Sequence, residues 1–201
     1  FRELVRCGWS FVVLDDQLEV VAAARGVTPP WVKDIGGAEI WALLQAATHA
    51  VPGLCRFKVD CKPCTDTIRA GRAKATSAKN RHARAYALVL AALDDTPPSS
   101  VIWVPAHLRE SQAGSLRIGD GSWLTVADVR GNDIADFHAK AAVEEHRVEK
   151  EAVKTWNAEF STATDRARWI GQVTMLANNR VQFPHRDSEA SRWRAEVANK
   201  E

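Results

Sequence analysis

The stretch from Ala38 to Asp60, AEIWALLQAATHAVPGLCRFKVD, contains a helix pattern followed by a strand pattern. Apolar side chains recur at helical spacing over its first half, and a Pro-Gly pair then ends that pattern. The segment Cys55–Asp60 predicts a short strand. We therefore expect Glu39 to open an apolar helix and Asp60 to end a strand, in the local order of an α/β fold.

A third acidic residue lies in a later helical segment. Asn132 is the predicted N-cap of a helix that continues beyond Arg147 and holds Asp136 in its first turns. Carboxylates at helix starts and strand ends can converge, and converging carboxylates repel one another unless cations lie between them. Taken singly, each acid is explained by a helix dipole, a turn or a solvated surface. As an ordered set, Glu39, Asp60 and Asp136 predict a divalent-metal site.

The segments upstream of this stretch predict a β-hairpin. Strands are expected at Gly8–Leu14 and Leu18–Arg25, joined by a turn at Asp15–Gln17. A possible third strand follows at Trp31–Ile35.

The segments downstream predict alternating helices and strands. Helices are expected at Thr65–Ala70 and Ser77–Leu93, and a buried strand at Val101–Val104. Residues 105–128 are expected to form a long loop or hairpin that turns at Gly119–Gly121. This order predicts a mixed α/β fold with helices packed on a central sheet.

Composition and charge are those of an ordinary globular protein. The chain has 201 residues, 46% of them hydrophobic, and a net charge of only +2, which by itself does not indicate a polyanionic partner. No apolar stretch approaches the roughly 20 residues of a transmembrane helix, and no secretory leader is visible. We expect an intracellular protein, of the cytoplasm or nucleus, without a membrane partner. A change in charge pattern predicts two parts, residues 1–148 and a helical extension, residues 149–201.

Four cysteines leave several interpretations open. They are Cys7, Cys55, Cys61 and Cys64. Buried free thiols are the favoured interpretation. A thiol redox function of Cys61 and Cys64, which follow a strand and precede a helix, is a weaker alternative. A structural zinc site is weaker still, because the sequence has one Cys-x-x-Cys pair.

The order of these motifs resembles the ribonuclease H type 1 domain, in particular the versions carried by retroelement polyproteins. The resemblance covers residues 7–147 and includes a Trp-Val-Pro-Ala-His run at 103–107 and a GNDIADFHAKAA run at 131–142. It implies a three-layer fold with helices on both faces of a mixed sheet. It also implies the following roles: catalytic, metal-binding Glu39, Asp60 and Asp136; a flexible-loop His107; and Asn132 and Asp133 as secondary candidates.

The resemblance further implies two-metal hydrolysis of the RNA strand in an RNA–DNA hybrid, with Mg²⁺ or Mn²⁺ held by carboxylate oxygens. An adjacent reverse-transcriptase domain in a longer chain is a further expected partner. A basic run in the family's substrate-binding region is expected to contact duplex phosphates. Its members are Arg69, Arg72, Lys74, Lys79, Arg81 and Arg84.

One catalytic residue of the family has no counterpart. The family's first strand carries an Asp, but Phe1–Arg6 contains none, and Asp15 and Asp16 lie at the far turn of the hairpin. We therefore expect that first strand to be incomplete or missing here, with the Asp upstream of Phe1 in a longer protein. The main alternative is a nucleic-acid-binding relic of the fold that has lost catalysis.

Overall fold

The structure is a computed structural model that describes residues 7–51, 55–94 and 96–180. The chain divides into two compact units, Phe1–Val148 and Glu149–Glu201. The first unit mixes α-helices and β-strands, so the predicted α/β class is confirmed. None of the helices in the described ranges is long and apolar enough to cross a membrane.

The first two strands form the predicted hairpin. Strand β1 (Gly8–Leu14) pairs antiparallel with β2 (Val20–Val27). The turn is held by the side chain of Asp15, which accepts hydrogen bonds from the backbone N–H groups of Gln17 and Glu19, both at 2.9 Å. Leu18 has a φ of 67° there, which delays the return strand beyond its predicted start.

The other two strands form a second sheet. Strand β3 (Phe57–Val59) pairs in parallel with β4 (Val101–Trp103). Within the described residues the strands make two separate two-stranded sheets, and the predicted single central sheet is not found. The two sheets stay separate because no described segment forms backbone hydrogen bonds with the second edge of β1 or of β3. Helix α1 (Ile35–His49) nevertheless packs against both strands.

The start of α1 corrects two predictions. The side chain of Asp34 accepts a hydrogen bond from Gly37 N at 2.9 Å and is therefore the N-cap. The predicted strand at Trp31–Ile35 is wrong because this cap commits the segment to a helix start. Glu39 consequently lies in the second turn of α1 rather than at its beginning.

Three short helices follow β3. They are α2 (Lys62–Arg69), α3 (Arg72–Ala75) and α4 (Ala83–Ala92). The predicted continuous helix at Ser77–Leu93 is wrong in its first part. The side chain of Asn80 donates to Ala75 O at 2.9 Å and accepts from His82 N at 3.0 Å, which satisfies the backbone of a turn instead of a helix.

The last helix of the first unit, α5 (Val126–Glu145), begins earlier than predicted. Thr125 is its N-cap, and the side chains of Thr125 and Asp128 form a reciprocal capping box. Asn132 therefore lies inside the helix, and Asp136 lies in the third turn rather than the first. The second unit contains α6 (Lys150–Asn178), a single long helix.

Two groups of buried residues form the core of the first unit. The larger group joins α1, α2 and α4 to the β3–β4 sheet. Its fully buried side chains include Ile40, Ile68, Val89 and Val101. Burial of each such aliphatic side chain contributes roughly 1.5–3 kcal/mol, so this group holds the helix of Glu39 firmly against the strand that leads into Asp60.

Candidate carboxylate site

Close packing of α5 on β1 fixes the position of Asp136. A Cβ on Gly8 would lie 2.1 Å from Ala139 O, so only glycine allows this approach. Two residues further along β1, the Ser10 hydroxyl donates a hydrogen bond to Ala135 O in α5. Because Ala135 immediately precedes Asp136, these contacts set where the Asp136 carboxylate lies relative to the sheet.

Glu39 interacts with both of the other predicted acids. Glu39 is half-buried, and burial is the main reason that its pKa rises from 4.5 to about 7. The negative charge of Asp60, a side-chain hydrogen bond with Asp60 and the charge of Asp136 raise the pKa further. A carboxyl from α1, one from the end of β3 and one from α5 therefore share one region of the first unit.

The donor chemistry of this region fits a hard cation. Carboxylate oxygens are the ligands that Mg²⁺ and Mn²⁺ prefer. Across residues 7–51, 55–94 and 96–180, however, no three Asp, Glu, His or Cys side chains are arranged so that they could jointly hold a metal ion. Instead, a side-chain hydrogen bond with Asp60 helps to raise the pKa of Glu39. The proton that Glu39 retains reduces the repulsion between the two carboxyl groups, as a bound cation would.

The indole of Trp103 anchors the loop that carries Asp60. Its Nε1 donates a hydrogen bond to Asp60 O at 3.0 Å, and the Lys62 ammonium lies 5.3 Å from the centre of the Trp103 ring. Asp60 is thus held by β4 as well as by β3. A strand pattern does not predict this role of Trp103, because the hydrogen bond to Asp60 is a tertiary contact.

The remaining predicted site residues lie differently. His107 is in the exposed loop after β4, with a left-handed φ of 54°, and it takes no part in the interactions that raise the pKa of Glu39. Asn132 is half-buried and Asp133 is exposed, both one turn before Asp136. Asp136 itself pairs with Lys140 at 2.5 Å.

The six residues of the predicted basic run are all exposed. The break between α3 and α4 separates them, and some are already paired. Arg72 lies 3.6 Å from Asp94, Arg81 forms an ion pair with Asp34, and the Arg84 guanidinium stacks 4.3 Å from the centre of the Trp31 ring. Lys74 and Lys79 extend from α3 and the following turn.

A polar cavity of about 270 Å³ lies beside part of this run, at the start of α1. Trp31, Lys33, Arg81 and Arg84 contribute cationic and aromatic groups to its wall. Asp34 lies in the same wall and pairs with both Arg81 and His82, the latter at 3.3 Å. The cavity therefore combines several cations with one neutralising carboxylate.

The cysteines do not favour a redox function. All four are free thiols. Burial raises the pKa of Cys64 strongly and that of Cys61 as well, and the nearby carboxylates of Glu39 and Asp60 act in the same direction. A protonated thiol is a poor nucleophile, so these surroundings oppose thiol–disulfide chemistry.

Comparisons of the chain with protein-family models, with curated proteins and with solved structures gave no match. The functional proposal therefore depends on side-chain geometry and chemistry. The feature that carries most weight is the meeting of Glu39, Asp60 and Asp136, which come from separate parts of the chain.

Proposed function

We propose that the protein is a metal-dependent endonuclease of the ribonuclease H type, which hydrolyses the RNA strand of RNA–DNA hybrids. The observation that carries the proposal is the convergence of Glu39, Asp60 and Asp136 on one region. Carboxylates from three distant segments are electrostatically costly to bring together, and a divalent cation offsets that cost. The order of the acids along the chain supports the choice of this family over other metal-dependent hydrolases.

In this proposal the three carboxylates hold Mg²⁺ or Mn²⁺. When bound, such ions lower the pKa of an attacking water and stabilise the departing oxygen of the scissile phosphate. Glu39 must give up the proton that its raised pKa retains near neutral pH before its oxygens can serve as ligands. Trp103 acts on Asp60 by fixing the backbone of the loop that carries it.

Exposed basic side chains of the first unit support a nucleic-acid substrate. Exposed Arg and Lys side chains of α3, α4 and the intervening turn would contact backbone phosphates of the hybrid, and such binding weakens steeply as salt is raised. Selection for a strand of RNA requires recognition of its 2′-OH groups along the minor groove of the hybrid. His107, in its exposed loop, is proposed to relay a proton as the product leaves.

A second candidate function is nucleic-acid binding without cleavage. Two observations on the described residues favour it. No three ligand-type side chains among them are arranged to hold an ion, and no strand among them joins β1 to β3. The two candidates share the same basic surface and differ in whether the carboxylates are competent for hydrolysis.

Cleavage of a hybrid labelled on its RNA strand separates the two candidates. We expect cleavage with Mg²⁺, none with EDTA, and loss of at least ~100-fold in Asp60→Asn with hybrid binding retained. Asp66→Asn, an exposed acid on α2, is the matched control and should cleave like the parent chain. Binding of the hybrid without any Mg²⁺-dependent cleavage by the parent chain would instead establish the second candidate.

A further inference from the structure

The segment between His107 and α5 folds into a packed hairpin rather than an open loop. We call residues 114–124 the insertion hairpin. Its two arms are joined by hydrogen bonds from Gly114 N to Leu124 O and from Leu124 N to Leu116 O, both 2.8 Å. Ile118 and Leu124 point inward and are buried in a small cluster with residues of β4 and α5. The predicted turn at Gly119–Gly121 is confirmed.

The outward side of the insertion hairpin carries a stacked pair. Arg117 and Trp123 face each other across the arms, and the guanidinium lies 3.9 Å from the centre of the indole ring. Arg117 is also fixed by a 2.6 Å hydrogen bond to Gly121 O. Because the inward residues carry the packing, Trp123 contributes little to it and remains half exposed. The indole is thus a rigid platform on the surface.

Further arginines surround the tip of the hairpin. Arg69, at the end of α2, donates to Gly119 O at 3.1 Å. The exposed Arg56 faces the same turn: the pKa of Asp120 is lowered first by hydrogen bonds from Ser122 and in smaller part by the charge of Arg56. An arginine has five N–H donors, so one bond to a carbonyl leaves donors for a phosphate.

Trp103 contacts both the insertion hairpin and the loop that carries Asp60. Gly119 N donates to Trp103 O at 2.8 Å, and the indole of the same Trp103 donates to Asp60 O at 3.0 Å. A Cβ on Gly119 would lie 2.8 Å from Trp103 N, so the contact is close. A strand of nucleic acid bound at the carboxylates would therefore pass near the hairpin as it leaves.

We propose that the insertion hairpin binds an unpaired nucleic-acid strand flanking the hybrid, with a base stacked on Trp123 and phosphates contacted by Arg69 and Arg117. This proposal rests on the proposed function for its substrate class. Exposed indoles beside arginines are suited to single strands, because every base has a face that stacks and every nucleotide a phosphate. A base inside a duplex keeps its face covered by its neighbours, so the indole selects unpaired nucleotides.

The test is binding in EDTA, where cleavage does not occur. A blunt RNA–DNA hybrid is compared with the same hybrid carrying a single-stranded RNA or a single-stranded DNA extension. Trp123→Leu should weaken binding of an extended hybrid about tenfold, the loss expected for one stacked base, and leave the blunt hybrid unchanged. Trp169→Leu, an exposed Trp of α6, is the matched control and should change neither.

A second variant tests the proposal even if Trp123→Leu unfolds the hairpin. Arg69→Gln lies outside the hairpin and should lower the slope of log K against log salt by about 1, for the extended hybrids only. Equal binding of the extended hybrids by Trp123→Leu and the parent chain would overturn the proposal, as would an equal loss on blunt and extended hybrids. Absence of Mg²⁺-dependent cleavage would refute the nuclease function alone, because these measurements contain no divalent cation.

Discussion

The ammonium of Lys58 on β3 forms an ion pair with the buried carboxylate of Asp128 on α5. The contact joins residues 70 positions apart in the chain and connects the strand that leads into Asp60 to the helix that carries Asp136. The other Asp128 oxygen accepts hydrogen bonds from Thr125 N at 2.8 Å and Thr125 Oγ1 at 2.7 Å. One buried carboxylate thus caps α5 and fastens it to the second sheet.

Lys58→Met is expected to destabilise the first unit by roughly 1–3 kcal/mol. The variant leaves the Asp128 carboxylate buried without its cation, and an uncompensated buried charge is costly. The free energy of unfolding, measured by urea denaturation, checks this. Lys154→Met is the control, since its ion pair with Glu151 is exposed and such pairs contribute less than ~1 kcal/mol. An equal decrease in the free energy of unfolding in the two variants would show that the ion pair of Asp128 stabilises the protein no more than an exposed ion pair does.

Stability without divalent cations should fall as pH rises from about 4.5 to about 7. Burial and the neighbouring Asp60 and Asp136 raise the pKa of Glu39 to about 7, so the folded state holds a proton in this window that the unfolded state has lost. Glu39→Gln should remove roughly 1–3 kcal/mol of that pH dependence. Urea denaturation at pH 5 and pH 8 in EDTA measures it.

The same pair of chains tests the cation. Added Mg²⁺ should stabilise the parent chain at pH 8, because a ligand that binds only the folded state raises its stability by mass action. Glu39→Gln should gain less from Mg²⁺ than the parent chain. Glu151→Gln, an exposed acid of α6, should behave as the parent does in both measurements. A parent chain whose stability is the same at both pH values would contradict the convergence of the three carboxylates.

Gly8→Ala should destabilise the first unit by roughly 1–3 kcal/mol, since its Cβ would lie 2.1 Å from Ala139 O and force α5 away from β1. Thermal unfolding followed by circular dichroism provides the measurement. Gly171→Ala is the matched control: nothing lies within 4 Å of its added Cβ, and alanine in an exposed helix is favoured over glycine by about 1 kcal/mol. We therefore expect Gly8→Ala to lower the stability and Gly171→Ala to raise it. Destabilisation of similar size by both substitutions would contradict the close packing of α5 on β1.

The part of the fold that follows from local pattern was predictable from the sequence. Alternation and turn residues predicted the β1–β2 hairpin. The order of acids singled out Asp60 and Asp136, the two carboxylates whose charges act on Glu39. The start of α5 was missed although its signal is local. A Thr-x-x-Asp capping box at Thr125 has the same form as other helix starts, and it places the start of α5 seven residues before the predicted N-cap Asn132.

Other features depend on contacts that a sequence pattern does not contain. The pairing of Lys58 with Asp128 requires β3 and α5 to be brought together by the rest of the fold. The break before α4 depends on Asn80, whose side chain bonds the backbone at two places that only the folded turn presents. Helix propensity alone favours a continuous helix there, and the local side-chain to backbone hydrogen bonds of Asn80 override it.

The open edges of the two sheets predict uneven protection of β1 from hydrogen exchange. In an antiparallel pair, alternate residues direct their N–H groups to one neighbour and the rest to the other side. Among the described residues β1 is paired only with β2, so alternate amides of Gly8–Leu14 should exchange rapidly while those bonded to β2 are protected. Amide exchange followed by NMR resolves the pattern, with the middle of α1 as a reference for full protection. Slow exchange at every residue of β1 would contradict this expectation and would reveal a further strand paired with its open edge.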